Sequence, residues 1–413
     1  MNKRLLLVWL LFVPPLWAQE MLSDRLKGLR VYGSGDAGLP VAGLQSRPVT
    51  IEFDVVEATP PDLRVRVLHC DRDWNTTQNN FINDNVQNRS KEPLHYEMAP
   101  AGVQFYRYHY SVSVPGIAGI DRFAQSGNYV FEITDNSEST VLGRGRFFVA
   151  EDLLGASMKV SNRLLPSEIS PYNQVNRIEI EFVVPQRKDE QPEIFYPVNF
   201  KTVDVYRNRQ LSTPWRIDVD DNNPNTFVEG MGTMKLKFIV DNVSPGSSYR
   251  RIDVTSVDVY PEGQLLNARR GPDVSRFQLP AKTDHHGTSV VTVGSRYADF
   301  VSYRFELLTE SRQYESVYVV GDFNGWIVSP SSLMTYDLDL GRYIWQANFR
   351  RGAYDYQYVV GPNDWVSLEG NDWRTKNVFT AFIYYHDSRY GGFDRILGSV
   401  QILSPGGDHA TTD

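Results

Sequence analysis

Val49-Thr50-Ile51-Glu52-Phe53-Asp54-Val55 alternates apolar and polar side chains one residue at a time. Successive side chains of an extended chain point to opposite faces, so this alternation puts Val49, Ile51, Phe53 and Val55 on one buried face. The same period recurs outward from it. Leu63-Arg64-Val65-Arg66-Val67 follows, and residues 108–114, 129–133 and 146–149 complete a first group of strands. Residues 178–184, 234–240 and 252–259 form a second group, and residues 289–293, 303–307, 317–320, 343–349, 354–360 and 379–385 a third. Helical spacing is scarce: residues 153–165 carry apolar side chains at plausible intervals but soon meet Pro166. The pattern predicts an all-β protein.

The 413 residues suggest two or three domains at about 150 residues each. Hydrophobic residues make up 41% and charged ones 22%, enough apolar surface for ordinary cores, which excludes a disordered chain and a multi-span membrane protein. Aromatics at 13% favour strands. A formal charge of -8 and the lack of any basic run argue against a nucleic-acid partner. The single cysteine, Cys70, excludes an internal disulfide and a thiolate metal cluster. Polar separators at residues 151–171 and 279–287 divide the chain into three consecutive β-sandwiches of the immunoglobulin/fibronectin-like kind, at residues 19–152, 153–280 and 281–413.

Residues 1–18 read as a signal peptide: Lys3 and Arg4 are a charged start, residues 5–13 an apolar run, and Leu16-Trp17-Ala18 precedes Gln19. The run is too short for a membrane span of ~20 residues. The expectation is an exported, soluble chain with no transmembrane segment of its own, and no cysteine follows the cleavage point to carry a lipid anchor.

Several short strings invite a chemical reading. Gly33-Ser34-Gly35-Asp36-Ala37-Gly38 has the glycine spacing of a dinucleotide loop, but Pro40 and a strand pattern follow where a helix is needed. Asp218, Asp220, Asn222 and Glu229 have the spacing of calcium ligands, yet the sixth position is Asn223 instead of glycine and the flanks are strand-like. An acidic surface loop is the reading. His69 and Cys70 are neighbours on a strand and point to opposite faces, so they cannot easily exchange a proton. His285-His286 has no further ligands around it and reads as linker. No catalytic constellation stands out, and neither a cofactor nor a metal is expected.

Val317-Tyr318-Val319-Val320-Gly321-Asp322-Phe323-Asn324-Gly325-Trp326, then Gly341-Arg342-Tyr343, residues 352–358 and Trp365, resemble the early-set immunoglobulin-like domain that forms glycogen-binding modules. By that resemblance Trp326 and Trp365 would be sugar platforms and Asn377 a hydrogen-bonding partner for an α-glucan. Gln357 stands where glycogen binders usually carry a lysine.

A second resemblance spans nearly the whole chain. His69-Cys70-Asp71-Arg72-Asp73-Trp74, residues 106–110, Ser126-Gly127-Asn128-Tyr129, Arg146-Phe147-Phe148-Val149, residues 368–377 and Asp394-Arg395-Ile396-Leu397-Gly398 are similar to successive signatures of the type IX secretion system plug protein family. That resemblance implies a non-enzymatic periplasmic protein, peripherally associated with the inner face of the outer membrane, which seals a very large outer-membrane β-barrel translocon. It departs from the family most in the middle domain and near residues 90–101. The α-glucan binder is the alternative.

Overall fold

The structure is a computed structural model that describes residues 19–34, 38–83, 86–165, 173–186, 193–268, 270–276, 284–295, 298–309 and 312–406. The signal-peptide segment, the middle of the 33–38 glycine string and parts of both separators lie outside the described residues. Six sheets pair face to face into three β-sandwiches, as the alternation predicts.

The first sandwich sets strands Gln19–Met21, Val141–Ala150, Gly127–Asp135 and Leu63–Cys70 against Leu26–Tyr32, Val49–Val55, Tyr108–Val114 and Glu97–Met98. Val49, Ile51, Phe53 and Val55 all lie in its core, where Phe53 stacks on Tyr110 at 4.8 Å. The opposite row is not solvated: Glu52 and Asp54 are buried as well, because the third sandwich lies across that face.

The middle sandwich pairs Ser157–Leu164, Gln174–Val183, Lys235–Val243 and Thr226–Glu229 with a second sheet in the order Trp215–Asp218, Thr202–Arg207, Val378–Asp387, Phe393–Leu403. The stretch with helical spacing near Leu153 is therefore an edge strand. Leu154, Met158 and Val160 face the core from it.

The third sandwich uses Arg250–Asp253, Gly352–Val360, Ser289–Val291 and Val317–Gly321 in one sheet. Leu265–Asn267, Asp273–Val274, Phe300–Leu308, Arg342–Arg350 and Thr335–Asp337 form the other. The segment expected as a strand over 252–259 stops at Asp253.

Domain boundaries at 280/281 and a last domain running to 413 need correction. Strands at 250–274 belong to the third sandwich, and the last two strands belong to the middle one, where Thr202 pairs with Tyr384 and Arg207 with Phe379. The third sandwich is an insertion between strands of the middle sandwich. The separator at 279–287 misled because its polarity looked like a linker. In the fold, the Tyr249 and His285 amides donate to Asp284 and Asp355 at 2.7 and 2.8 Å, so its end is part of the third sandwich.

Candidate functional site: the junction of the three sandwiches

The strings that resemble the plug family converge on the seams between sandwiches. Asp71 accepts the Asp73 and Asn75 amides, each at 2.9 Å, and closes a tight turn that presents Arg72, Asp73 and Trp74 to the middle sandwich. Arg72 reaches Asp218 at 3.2 Å, and its amide donates to Asp394. Asp73 pairs with Arg216, which also forks onto fully buried Asp204 with two bonds of 2.8 and 2.9 Å. A planar guanidinium suits such two-point contacts. Trp74, in left-handed backbone at φ 66, is held between Phe148 and the guanidinium of Arg146.

Behind that turn, Phe148 stacks on Phe382 at 4.1 Å and meets Tyr206 edge-on at 5.4 Å. One apolar cluster contains Leu39, Phe148 and Ala150 of the first sandwich, Tyr206, Leu211, Phe382, Tyr384 and Ile396 of the middle one, and Ile327 of the third. The three bodies thus share a core. Around it, Tyr384 donates to Asn128 at 2.8 Å, Ser126 donates to Glu151 at 2.6 Å, and Arg395 binds Glu151, Glu193 and Asp387. Arg395 is 4% exposed and its three carboxylate partners compensate the burial.

The seam between first and third sandwiches is ionic. Arg350 of the third reaches Asp54, and His109 lies 2.9 Å from Asp54 and 3.2 Å from Glu52. Burial alone would raise the Glu52 carboxyl, but the hydrogen bonds from His109 and Arg30 prevail and hold it at about 2. Beside this cluster Phe105 stacks on Phe300 at 4.7 Å, and Asp299 accepts the amides of Gln104 and Phe105 at 2.8 and 3.1 Å.

The closing segment 368–377 fastens the third sandwich to the middle one. Asn371 accepts from Ser244 and from the Gly246 amide, each at 2.7 Å, and donates to the Gln174 carbonyl of the middle sandwich at 2.8 Å, while within the third sandwich fully buried Glu369 binds Arg250 at 2.8 Å and Arg276 at 3.0 Å. Arg209 of the middle sandwich meets Asp322, in the Gly-Asp-Phe-Asn turn, at 2.8 Å.

The suggested sugar platform is not a platform. Trp326 is 0% exposed, donates its Nε1 to the Gly287 carbonyl at 2.9 Å and packs on Tyr249 at 4.3 Å. Stacking on a sugar needs an open ring face, and Tyr249 and the 284–288 loop have taken it. Trp365 is half-buried in the same small cluster. Asn377, 2% exposed, donates to the Pro245 carbonyl and accepts from Asn208. Gln357 is buried and donates to the Trp365 carbonyl.

The other chemical strings are structural too. His69 is fully buried, with its ring nitrogens at 2.8 Å from Thr77 and 3.0 Å from the Ser126 carbonyl, and burial pulls it down to about 4. Burial pushes the Cys70 thiol up to about 12, far from a thiolate. Asp218 and Asp220 close a turn and pair with Arg72 and Lys201. Among the described residues no His, Cys, Asp or Glu group is arranged to hold a metal ion, and no helix is long and apolar enough to cross a membrane. Sequence reasoning missed one surface feature: Phe81 and Tyr390, 83% and 61% exposed, meet ring to ring at 6.2 Å across the first seam.

Known proteins bear on this arrangement. A crystal structure of a hypothetical protein from Parabacteroides merdae ATCC 43184 matches with a TM-score of 0.76, over 94% of this chain and 99% of its own, at 18% identity. That shows a shared fold. The B domain of a biofilm associated protein aligns over 91% of this chain and 85% of its own at 8% identity, with a TM-score of 0.15 that carries no argument. No curated protein matches the chain. Residues 26–151, nearly the whole first sandwich, match the family profile described as the type 9 secretion system plug protein 1st domain, and that match supports the plug family for this chain.

Proposed function

We propose that the protein is a non-enzymatic periplasmic plug that docks on the periplasmic mouth of the type IX outer-membrane translocon barrel. One observation carries the reading beyond the family match: three sandwiches share a single apolar cluster and are cross-fastened by buried ion pairs, so they form one broad body. A stopper for a wide pore works by shape and contact surface, and needs no reactive group. The titratable groups inside the junction are consumed by one another, which is the chemistry of fastening.

The test is affinity purification of the tagged full chain from its native outer membrane in mild detergent, with mass spectrometry of co-purifying proteins. A very large β-barrel recovered in comparable amount is expected. Its absence, with retention of the protein on an α-glucan column, would reverse the assignment. Replacing the exposed Phe81 and Tyr390 by Ser then asks whether that ring pair contributes to the contact.

A further inference from the structure

Where the first sandwich meets the third, Leu29 on one side and Phe300, Phe323, Trp345, Phe349 and Tyr354 on the other line a half-open cavity of about 210 Å³. Several of the polar groups around it are engaged with other groups of the protein. Asp322 holds Arg209 at 2.8 Å and accepts the Ser289 hydroxyl. Asn324 bonds the backbone of Gly321 and Val319, Trp345 donates its Nε1 to the Ser331 carbonyl at 2.8 Å, and Arg350 is turned toward Asp54. Its aromatic wall favours an apolar guest, and a volume of about 150 Å³ is large enough for benzene.

The walls also specify shape. Phe323 lies 4.7 Å from Phe349 and 5.8 Å from Trp345, with interplanar angles of 60° and 28°, so faces and edges are both presented. Aromatic guests pack best against such mixed orientations at centroid distances of about 4.5–7 Å. The backbone is fitted to this wall at Gly28, on a bulge of strand Leu26–Tyr32. Its φ is +58, and a Cβ there would meet the Phe300 ring at 3.0 Å.

We propose that this cavity binds a small planar apolar ring, between benzene and indole in size. It is separate from the suggested glucan residues, and the proposal does not depend on the plug reading.

Fluorine NMR of a fluorinated indole, titrated with the full chain, tests it. Line broadening that unlabelled indole reverses is expected, with Kd on the order of 1 mM or tighter. Ala347 lines the cavity, so Ala347→Phe should fill it and weaken binding at least tenfold. N-acetyl-tryptophanamide identifies the source: competition by it means a ring carried on a polypeptide, and competition by indole alone means a free small molecule. If Ala347→Phe does not fold, xenon-pressurised crystals of the unaltered protein give an independent readout, a peak between Phe300, Phe323 and Phe349. Broadening unchanged in a folded Ala347→Phe variant would overturn the proposal. So would the absence of both broadening and a xenon peak.

Discussion

Where the first sandwich meets the middle one, Phe148, Tyr206 and Phe382 pack ring on ring inside an apolar cluster. Where it meets the third, Arg350 reaches across to Asp54 and Glu52, with His109 between the carboxylates. The first seam resembles a domain core, and its strength comes from apolar area removed from water. The second depends on every charge keeping its partner, since a buried ion deprived of its counterion is costly. Two neighbours of one sandwich are thus held in different proportions: ring packing dominates the first seam, with ion pairs such as Arg395–Glu151 around it, and a buried charge cluster dominates the second.

The largest effect that tests this contrast is Phe382→Ala. It removes a fully buried ring from the shared cluster and should cost about 3–5 kcal/mol in denaturant unfolding. Arg350→Met should cost about 3 kcal/mol by leaving fully buried Asp54 with His109 alone, with faster hydrogen exchange confined to the first–third seam around Phe105 and Phe300. Exchange that quickened equally at Phe148 would show that the seams are not independent.

The third test is a pH effect inside the third sandwich. Burial, and after it the charge of Asp284, raise the Asp355 carboxyl to about 7, although its Oδ2 accepts amides from His285 and Gly287. The folded protein therefore keeps a proton that the unfolded chain has released, and stability falls as pH rises from about 4 through 7. Asp355→Asn should match the unaltered protein near pH 4 and exceed it by about 4 kcal/mol at pH 8. A variant that loses stability at pH 8 would show that the charged form is the one the fold prefers. The smallest effect belongs to Lys201→Ala, which opens the exposed pair with Asp220 and should change stability by about 0.5 kcal/mol or less. It sets the baseline against which both seams are read.

The stretch Val49–Val55 shows what was legible in the sequence and what was not. Alternation placed Val49, Ile51, Phe53 and Val55 in a core, because a strand's own period reports which side chains lie together. It was silent about Glu52 and Asp54, whose burial is caused by Arg350, almost three hundred residues along the chain. Trp326 failed for a related reason. The Gly-Asp-Phe-Asn turn was correctly located, and Asn324 closes it through the Gly321 amide, but the motif carries no information about what covers the ring. Residues 379–385 were read as a strand and assigned to the wrong sandwich, since periodicity names a strand without naming its partner. Conversely, the strings around Arg72, Asn128 and Arg395 turned out to be junction residues. Polar side chains that must satisfy one another across a seam are constrained in identity, and so make recognisable strings.

The insertion of the third sandwich sets an order of assembly. The strand Val378–Asp387 is an inner member of the middle sandwich's second sheet, flanked by Thr202–Arg207 and Phe393–Leu403. A chain made from its amino end can complete the first and third bodies before that strand exists, and until then the edge of Thr202–Arg207 has no partner on that side. The middle sandwich closes only once Val378–Asp387 and Phe393–Leu403 have emerged, so a chain that stops short of them leaves its second sheet half built.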